Sequence, residues 1–413
     1  MAAFDDREFN RAARAFRWSF WLSGRTDLLW KPGASRCPNA TSYHIFAREL
    51  RSLLEAKRAA WSCGEIEQPS YLRAIAPLPR VADLRDWRMF CLFSEYIYND
   101  NRYVECDYKD HFHDSAINAG IAAQLFFTDR ISYMQLKTEN DRDVSDLLLL
   151  RERLAQARPN VVMFDANFIG GDIGLNREFL AEVKKSLGVK LVGFLGDAVG
   201  ESWVSVADYW APVADVIFHL APGGAVERGS AFPQKLLCSA PPVNRRTFHP
   251  DNVRPIDISF LGSYTAHLPP FWLATAIEEA ERLGLRFHIR GHKRTGDCPN
   301  IAEYGAIMCG SRMVLNLSSR DGITKAMTGR AWQALHSGAV LLEEDNEFTK
   351  YFFVPFVHYV PFSNARQLRH LIRFFKENDD WARQVGANAA DFCASHYAET
   401  STWGHILGKV QVV

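Results

Sequence analysis

The sequence predicts two α/β domains, each a parallel sheet covered by helices on both faces, behind a helical N-terminal extension. Three observations carry this. Short continuous apolar runs alternate with amphipathic helices between Met89 and Leu220, the pattern of strands buried on both faces. The alternation restarts at Ile256, and around residues 240–256 the prolines of SAPPVNRRTFHPDNVRP interrupt any regular element and separate the two series. At 413 residues the chain also exceeds the roughly 250–300 residues at which a single core stops growing.

Residues 1–85 read as helices and loops, with Leu50, Leu53 and Leu54 at helical spacing in ARELRSLLEAKRAAW. In the first α/β series, strands are expected in RMFCLFSEYIY, IAAQLFF (121–127), Asn160–Asp165, VKLVGFLGD (189–197) and ADVIFHL (214–220). Helices are expected through DSAINAG, DVSDLLLLRERLAQA and REFLAEVKKSLG. The second series offers the strands IDISFLGS (256–263), LRFHIRG (285–291), SRMVLNLS (311–318), AVLLEED and FVHYVPF. Its helices are FWLATAIEEAERLG, TGRAWQALHSG and two long terminal ones that can fold back across the linker. The expected domains are a helical extension over 1–85, a first Rossmann-like domain over 86–248, a second over 249–395, and a tail over 396–413 that crosses back to the first.

Composition narrows the function. Hydrophobic residues make up 47% and charged residues 23% of the chain, ordinary for a folded protein. Lys+Arg and Asp+Glu are both 48, so no whole-chain field favours a polyanion, and nucleic acid is not an expected partner. The eight cysteines are scattered, with no Cys-x-x-Cys pair and no Cys/His spacing suited to zinc, so no metal is expected. MAAFDDREFNRAARAF carries acids and lacks the apolar stretch of a secretory signal, and no run of about 18 apolar residues occurs. A cytoplasmic protein is the expectation. Residues 1–30 mix Arg11, Arg14, Arg17 and Arg25 with Phe16, Trp18, Phe20, Trp21 and Trp30, a combination suited to a helix docked on its own protein or to peripheral contact with the inner face of an anionic membrane.

Ligands of open parallel sheets sit beyond the carboxyl ends of the strands. That rule selects Gly262-Ser263-Tyr264-Thr265, Gly291-His292-Lys293-Arg294, the turn Ser318–Gly322 and the helix that begins near Thr328. A diphosphate needs close backbone approach, which glycine permits, and compact positive charge, which Lys325 and Arg330 supply. Arg330 at the start of a helix runs against the dipole preference and so points to an anion held there. No Gly-x-Gly-x-x-Gly follows a strand, which argues against a dinucleotide-dependent dehydrogenase, and no Gly-Lys-Ser/Thr phosphate loop is present.

The block KAMTGRAWQALHSGAVLL, with FLGS, MVLNLSSRDG and PPVNRRTFHP, resembles the nucleotide-sugar domain of GT-B glycosyltransferases, in particular the bacterial group of spore-maturation-protein-type transferases. PNVVMFDANF, VKLVGFLGDA and ADVIFHL resemble that group's first domain. The resemblance implies a cytoplasmic enzyme of glycan biosynthesis. It would move a sugar from a nucleotide-sugar donor to a glycan, lipid-linked or protein acceptor, with neither cofactor nor metal. It implies that Arg330 and Lys325 bind the donor diphosphate, that Gly262 and Ser263 lie against the phosphates or on the acceptor side, and that Gln333 meets the ribose, with Glu343 or Glu344 able to add a carboxylate. Tyr264, Gly291, His292 and Thr328 complete the expected donor side. Many retaining members carry two glutamates where Lys325 and Gln333 stand, so that version of the site is absent. An inverting reaction needs a base from the first domain. The loop Asp107–Asp114 between the first strand and its helix offers His113 or Asp114, with Asp197 as rival and His267 as a further candidate; caps and solvated loop residues are the plain alternatives. A non-catalytic nucleotide- or glycan-binding protein and a nucleotide-sugar epimerase are the competing functions.

Overall fold

The computed structural model describes residues 40–96, 105–128, 142–167, 175–196, 198–262, 270–291, 299–319 and 325–413. Two helices come first, α1 (Ala40–Ser62) and α2 (Ser70–Ile75). The first domain follows as β1 (Arg88–Phe93), a π-helical turn (Lys109–Asp114) running into α3 (Ser115–Asn118), β2 (Ala122–Phe127), α4 (Arg142–Ala157), β3 (Val161–Asp165), α5 (Arg177–Leu187), β4 (Lys190–Leu195), α6 (Ser202–Trp210), β5 (Val216–His219), α7 (Ala225–Gly229) and β6 (Leu236–Cys238). The second is β7 (Ile256–Leu261), α8 (Pro270–Leu283), β8 (Phe287–Arg290), α9 (Ile301–Cys309), β9 (Ser311–Asn316), α10 (Gly329–His336), β10 (Val340–Glu344), α11 (Glu347–Phe352), β11 (Val360–Phe362), α12 (Ala365–Glu377) and α13 (Asp379–His396). Helix α14 (Glu399–Val412) closes the chain.

Both sheets are parallel. Their orders are β2-β1-β3-β4-β5-β6 and β11-β10-β9-β7-β8, so each is doubly wound with its reversal beside its first strand, between β1 and β3 and between β7 and β9. Alternation within a strand feeds a core on each face. Phe90 and Leu92 of β1 pack with Phe164, Leu180 and Trp210, whereas Met89, Cys91 and Phe93 pack with Trp403, Ile406 and Leu407 of α14. The last helix therefore belongs to the first domain's core. In the same way α1 belongs to the second, because Leu50 and Leu54 join Ile258, Phe260, Leu315 and Leu371.

Two local expectations change. The strand β6 was not foreseen, because three residues at a sheet edge leave no periodicity to read. The Asp107–Asp114 segment is helical rather than a loop: its polar residues find partners on neighbouring elements, so the backbone can coil where sequence alone suggests a turn. The linker is also not loose. Pro241–Asn244 are buried, Asp110 Oδ1 accepts hydrogen bonds from Asn244 Nδ2 at 2.7 Å and Thr247 Oγ1 at 2.6 Å, and the Arg245 amide donates to Glu399 Oε1 at 2.9 Å. Among the described residues, no helix is long and apolar enough to cross a membrane.

Candidate active site

The reversal point of the second sheet puts Leu261, ending β7, next to Asn316, ending β9. Arg330, in the first turn of α10, spans the two. Its Nε donates to the Leu261 carbonyl, its Nη1 donates to Asn316 Oδ1 at 2.7 Å, and the guanidinium lies 4.6 Å above the Phe260 ring. Burial lowers its pKa while Tyr304 and Glu343 act in the opposite direction; an arginine stays charged under either influence. Gly262 is glycine for a steric reason: a Cβ there would stand 1.8 Å from Arg330 Nη2. Gly291 packs against it at φ +118°, where a Cβ would meet the Gly262 amide at 2.8 Å. Gly262, Gly291 and Arg330 thus form one close-packed unit at the strand ends.

Around this unit lies a chain of buried polar contacts. Asn316 Oδ1 also accepts from Thr328 Oγ1 at 3.0 Å, and its Nδ2 donates to Glu343 Oε2 at 2.8 Å. Thr328, the N-cap of α10, thereby spends its hydroxyl on Asn316, and its side chain caps no amide of the helix. Glu343 is completely buried, and burial pushes its pKa up to about 8 against the opposing effects of Asn316 and Arg330. Glu344, expected on the donor side, anchors the turn after β9: its two oxygens accept from the Ser319 hydroxyl at 2.6 Å and the Ser319 amide at 3.0 Å. Lys325 Nζ sits 3.5 Å from the same carboxylate and donates to the Asp345 carbonyl at 2.5 Å, with about a third of its side chain (35%) exposed.

Gln333, one turn beyond Arg330, faces the first domain. Its Nε2 donates to Asp107 Oδ2 at 3.0 Å and lies 2.9 Å from His111 Nε2. His111 Nδ1 faces the Pro242 carbonyl at 3.1 Å, so that nitrogen carries the proton. With the ring neutral, Nε2 is free to accept from Gln333; a second proton exchanges that contact for an ion pair with Asp107, 3.3 Å away. Burial opposes the charge, but Asp107, Asp110 and the Pro242 carbonyl outweigh it, and the His111 pKa is pushed up to about 9. Burial would raise the Asp107 carboxyl; His111 and Gln333 hold it below its ordinary range.

The helical segment also sets the contacts of the expected base candidates. His113 Nδ1 is 2.6 Å from Asp114 Oδ1, and Lys109 Nζ donates to Asp114 Oδ2 at 2.7 Å, so the foreseen pair binds itself and its neighbour. The residues that this segment extends to Gln333 are Asp107 and His111, one turn earlier. Asp197, Ser263, Tyr264, His267, His292, Lys293 and Arg294 lie outside the described residues. Sequence reasoning passed over Asn316 and Tyr304. The first had a signal in the lone amide that interrupts MVLNL near its end; Tyr304, in α9, had none.

Residues 271–407 match a family model described as glycosyl transferase-like. In structure, the chain is similar to an α-glucosyltransferase solved with UDP-glucose and DNA containing an abasic site, at 10% identity over 79% of this chain and 99% of that one, with a TM-score of 0.53. It is similar too to Anabaena Alr3699/HepE solved with UDP and glucose, at 10% identity over 79% of this chain and 100% of that one, with a TM-score of 0.50. No curated protein matches the chain in sequence. The fold is GT-B, and the match to the glycosyl transferase-like model falls in its second half.

Proposed function

We propose that the protein transfers a glycosyl group from a nucleoside-diphosphate sugar to an acceptor hydroxyl of a glycan, a lipid-linked saccharide or a protein. The observation that carries this is Arg330: a guanidinium fixed across the reversal point of the second sheet, packed against Gly262, at the first turn of a helix whose cap hydroxyl is spent elsewhere. Helix N–H groups and a fixed fork of donors are what a leaving diphosphate requires, so charge that develops on it is met without reorganisation. The similar structures were solved with UDP or UDP-glucose, which makes a uridine nucleotide the first candidate. The blocks MVLNLSSRDG and KAMTGRAWQALHSG support the narrower grouping with spore-maturation-protein-type transferases.

Across the cleft, Asp107 and His111 are the proton-handling pair of this reading. Asp107 is the open member, 41% exposed at the side chain against 8% for His111, and it receives the acceptor proton while His111 balances its charge. Lys325 and Gln333 stand where retaining relatives hold glutamates, which favours inversion. The same substitution favours the second reading, a nucleotide-binding protein without turnover.

A thermal-shift panel of UDP, GDP, CMP, dTDP and ADP, with Arg330→Ala in parallel, tests the proposal. One nucleotide is expected to raise the melting temperature, since a ligand at about 100 times its Kd stabilises by about 2.7 kcal/mol, and the variant is expected to lose that rise. An equal rise in both proteins removes Arg330 from the site. Binding with no sugar transfer or donor hydrolysis selects the second reading.

A further inference from the structure

The far edge of the first sheet holds a cluster that this function does not use. His219 and Cys238 are register partners at the carboxyl ends of β5 and β6, and in parallel strands about 4.8 Å apart such partners leave the sheet on the same face. After β5 the chain turns at Gly223, φ +62°, and α7 returns Glu227 over the strand ends, its Oε2 accepting from the Gly223 amide at 2.6 Å. A His nitrogen, a Glu oxygen and the Cys sulfur then lie within 4.8 Å of one another. His219 is completely buried, and its Nε2 has no hydrogen-bond partner. Glu227 Oε1 stands 3.5 Å from that nitrogen, too far for a good bond. A buried imidazole nitrogen left without a partner while it faces a carboxylate, with a thiol alongside, is the arrangement of a ligand set.

We propose that His219, Glu227 and Cys238 bind a divalent cation of the zinc class, with water as the fourth ligand. Nitrogen, oxygen and sulfur together select a borderline ion over magnesium or calcium, which take oxygen. On binding, the Cys238 thiol releases its proton to solvent and the thiolate takes the metal. The His219 proton moves from Nε2 to Nδ1, giving up the long 3.3 Å contact from the Ala221 amide, and Nε2 donates its lone pair. Glu227 contributes Oε1 and keeps Gly223 on Oε2. Glu227 and Cys238 are partly exposed, which gives the ion a path in. The ion ties the three-residue strand β6 to β5 and α7 immediately before the linker, where Ser239 Oγ lies 3.2 Å from the Tyr71 hydroxyl of α2. No spacing motif announces the site, because strand pairing brings Cys238 to His219 and the turn into α7 brings Glu227. It shares no residue with the Arg330 cluster and does not depend on the transferase reading.

Titration of the full-length, metal-free protein with cobalt(II) tests the site. One equivalent is expected to produce thiolate-to-cobalt charge-transfer absorption that zinc abolishes on displacing the cobalt. Cys238→Ser is expected to lose that absorption and Cys63→Ser to keep it. Glu227→Gln, which can keep the bond from Gly223, is expected to weaken cobalt affinity by roughly tenfold or more, the scale that even outer-shell partners of a metal command. No stoichiometric absorption in the unaltered protein, or the same absorption in Cys238→Ser, overturns the proposal. Should Cys238→Ser fail to fold, unchanged affinity in Glu227→Gln overturns it instead.

Discussion

Gly262 and Glu343 show how single residues hold the Arg330 cluster. A methyl group at Gly262 has no space beside Arg330 Nη2, so Gly262→Ala must move the guanidinium off the Leu261 carbonyl or Asn316. Overpacking of this kind costs about 1–3 kcal/mol. Nucleotide affinity in the Ala variant is expected to fall at least tenfold with the fold intact, as read by calorimetric titration; unchanged affinity places the nucleotide elsewhere. Glu343 gives a pH signature. Its folded pKa is about 8 against 4.5 for an ordinary glutamate, so its contribution is complete below pH 4.5 and is lost as pH rises through about 8. Glu343→Gln keeps an oxygen for Asn316 and removes the buried ionisation. It is expected to flatten the decline of the melting temperature over that window and to stabilise by a few kcal/mol at most at its upper end. A decline that keeps its slope in the variant assigns the titration to another group.

At the scale of elements, the buried strands were legible because parallel strands covered on both faces are continuous apolar runs. What the sequence could not show was the direction in which each polar side chain points. His113 and Asp114 look like catalytic residues in a loop; coiling the segment turns them to each other and sends Asp107 and His111 to Gln333. Glu344 is likewise a strand-end carboxylate in the sequence and a turn anchor in the fold. The α10 N-terminus yields a prediction of its own. Thr328 gives the helix no side-chain cap and donates its hydroxyl to Asn316, so Thr328→Val removes a hydrogen bond worth about 1 kcal/mol and loosens the oxygen that also holds Arg330. The melting temperature without ligand and the nucleotide affinity are both expected to fall. A lower melting temperature with unchanged affinity would show that this contact does not position the nucleotide site.

The whole molecule is joined more tightly than its linker sequence suggests. Proline-rich and polar, PPVNRRTFHP reads as a hinge, but Asp110, His111 and Glu399 each bind its backbone or side chains, and none of these partners is near it in sequence. Helix α14 adds a second tie. Gly404 and Gly408 let it lie against residues 79–81, since a Cβ at either would meet the Val81 carbonyl at 2.7 Å or the Pro79 carbonyl at 2.1 Å. Trp403 fills the first domain's core and donates to Ser115 Oγ at 3.1 Å. The first domain is therefore completed by the last helix of the chain, and the second by α1, so each domain's core needs sequence from beyond the other. A molecule interlocked in this way should unfold in urea as one cooperative transition. Trp403→Ala, which removes a wholly buried indole, should cost about 3–5 kcal/mol. Because that loss falls on the first domain alone, its transition should move to lower urea and separate from that of the second. Tryptophan fluorescence and far-ultraviolet circular dichroism, followed together, distinguish the outcomes: coincident curves for the unaltered protein and divergent ones for the variant are expected. Divergent curves in the unaltered protein would mean that α1, α14 and the clamped linker do not couple the two halves.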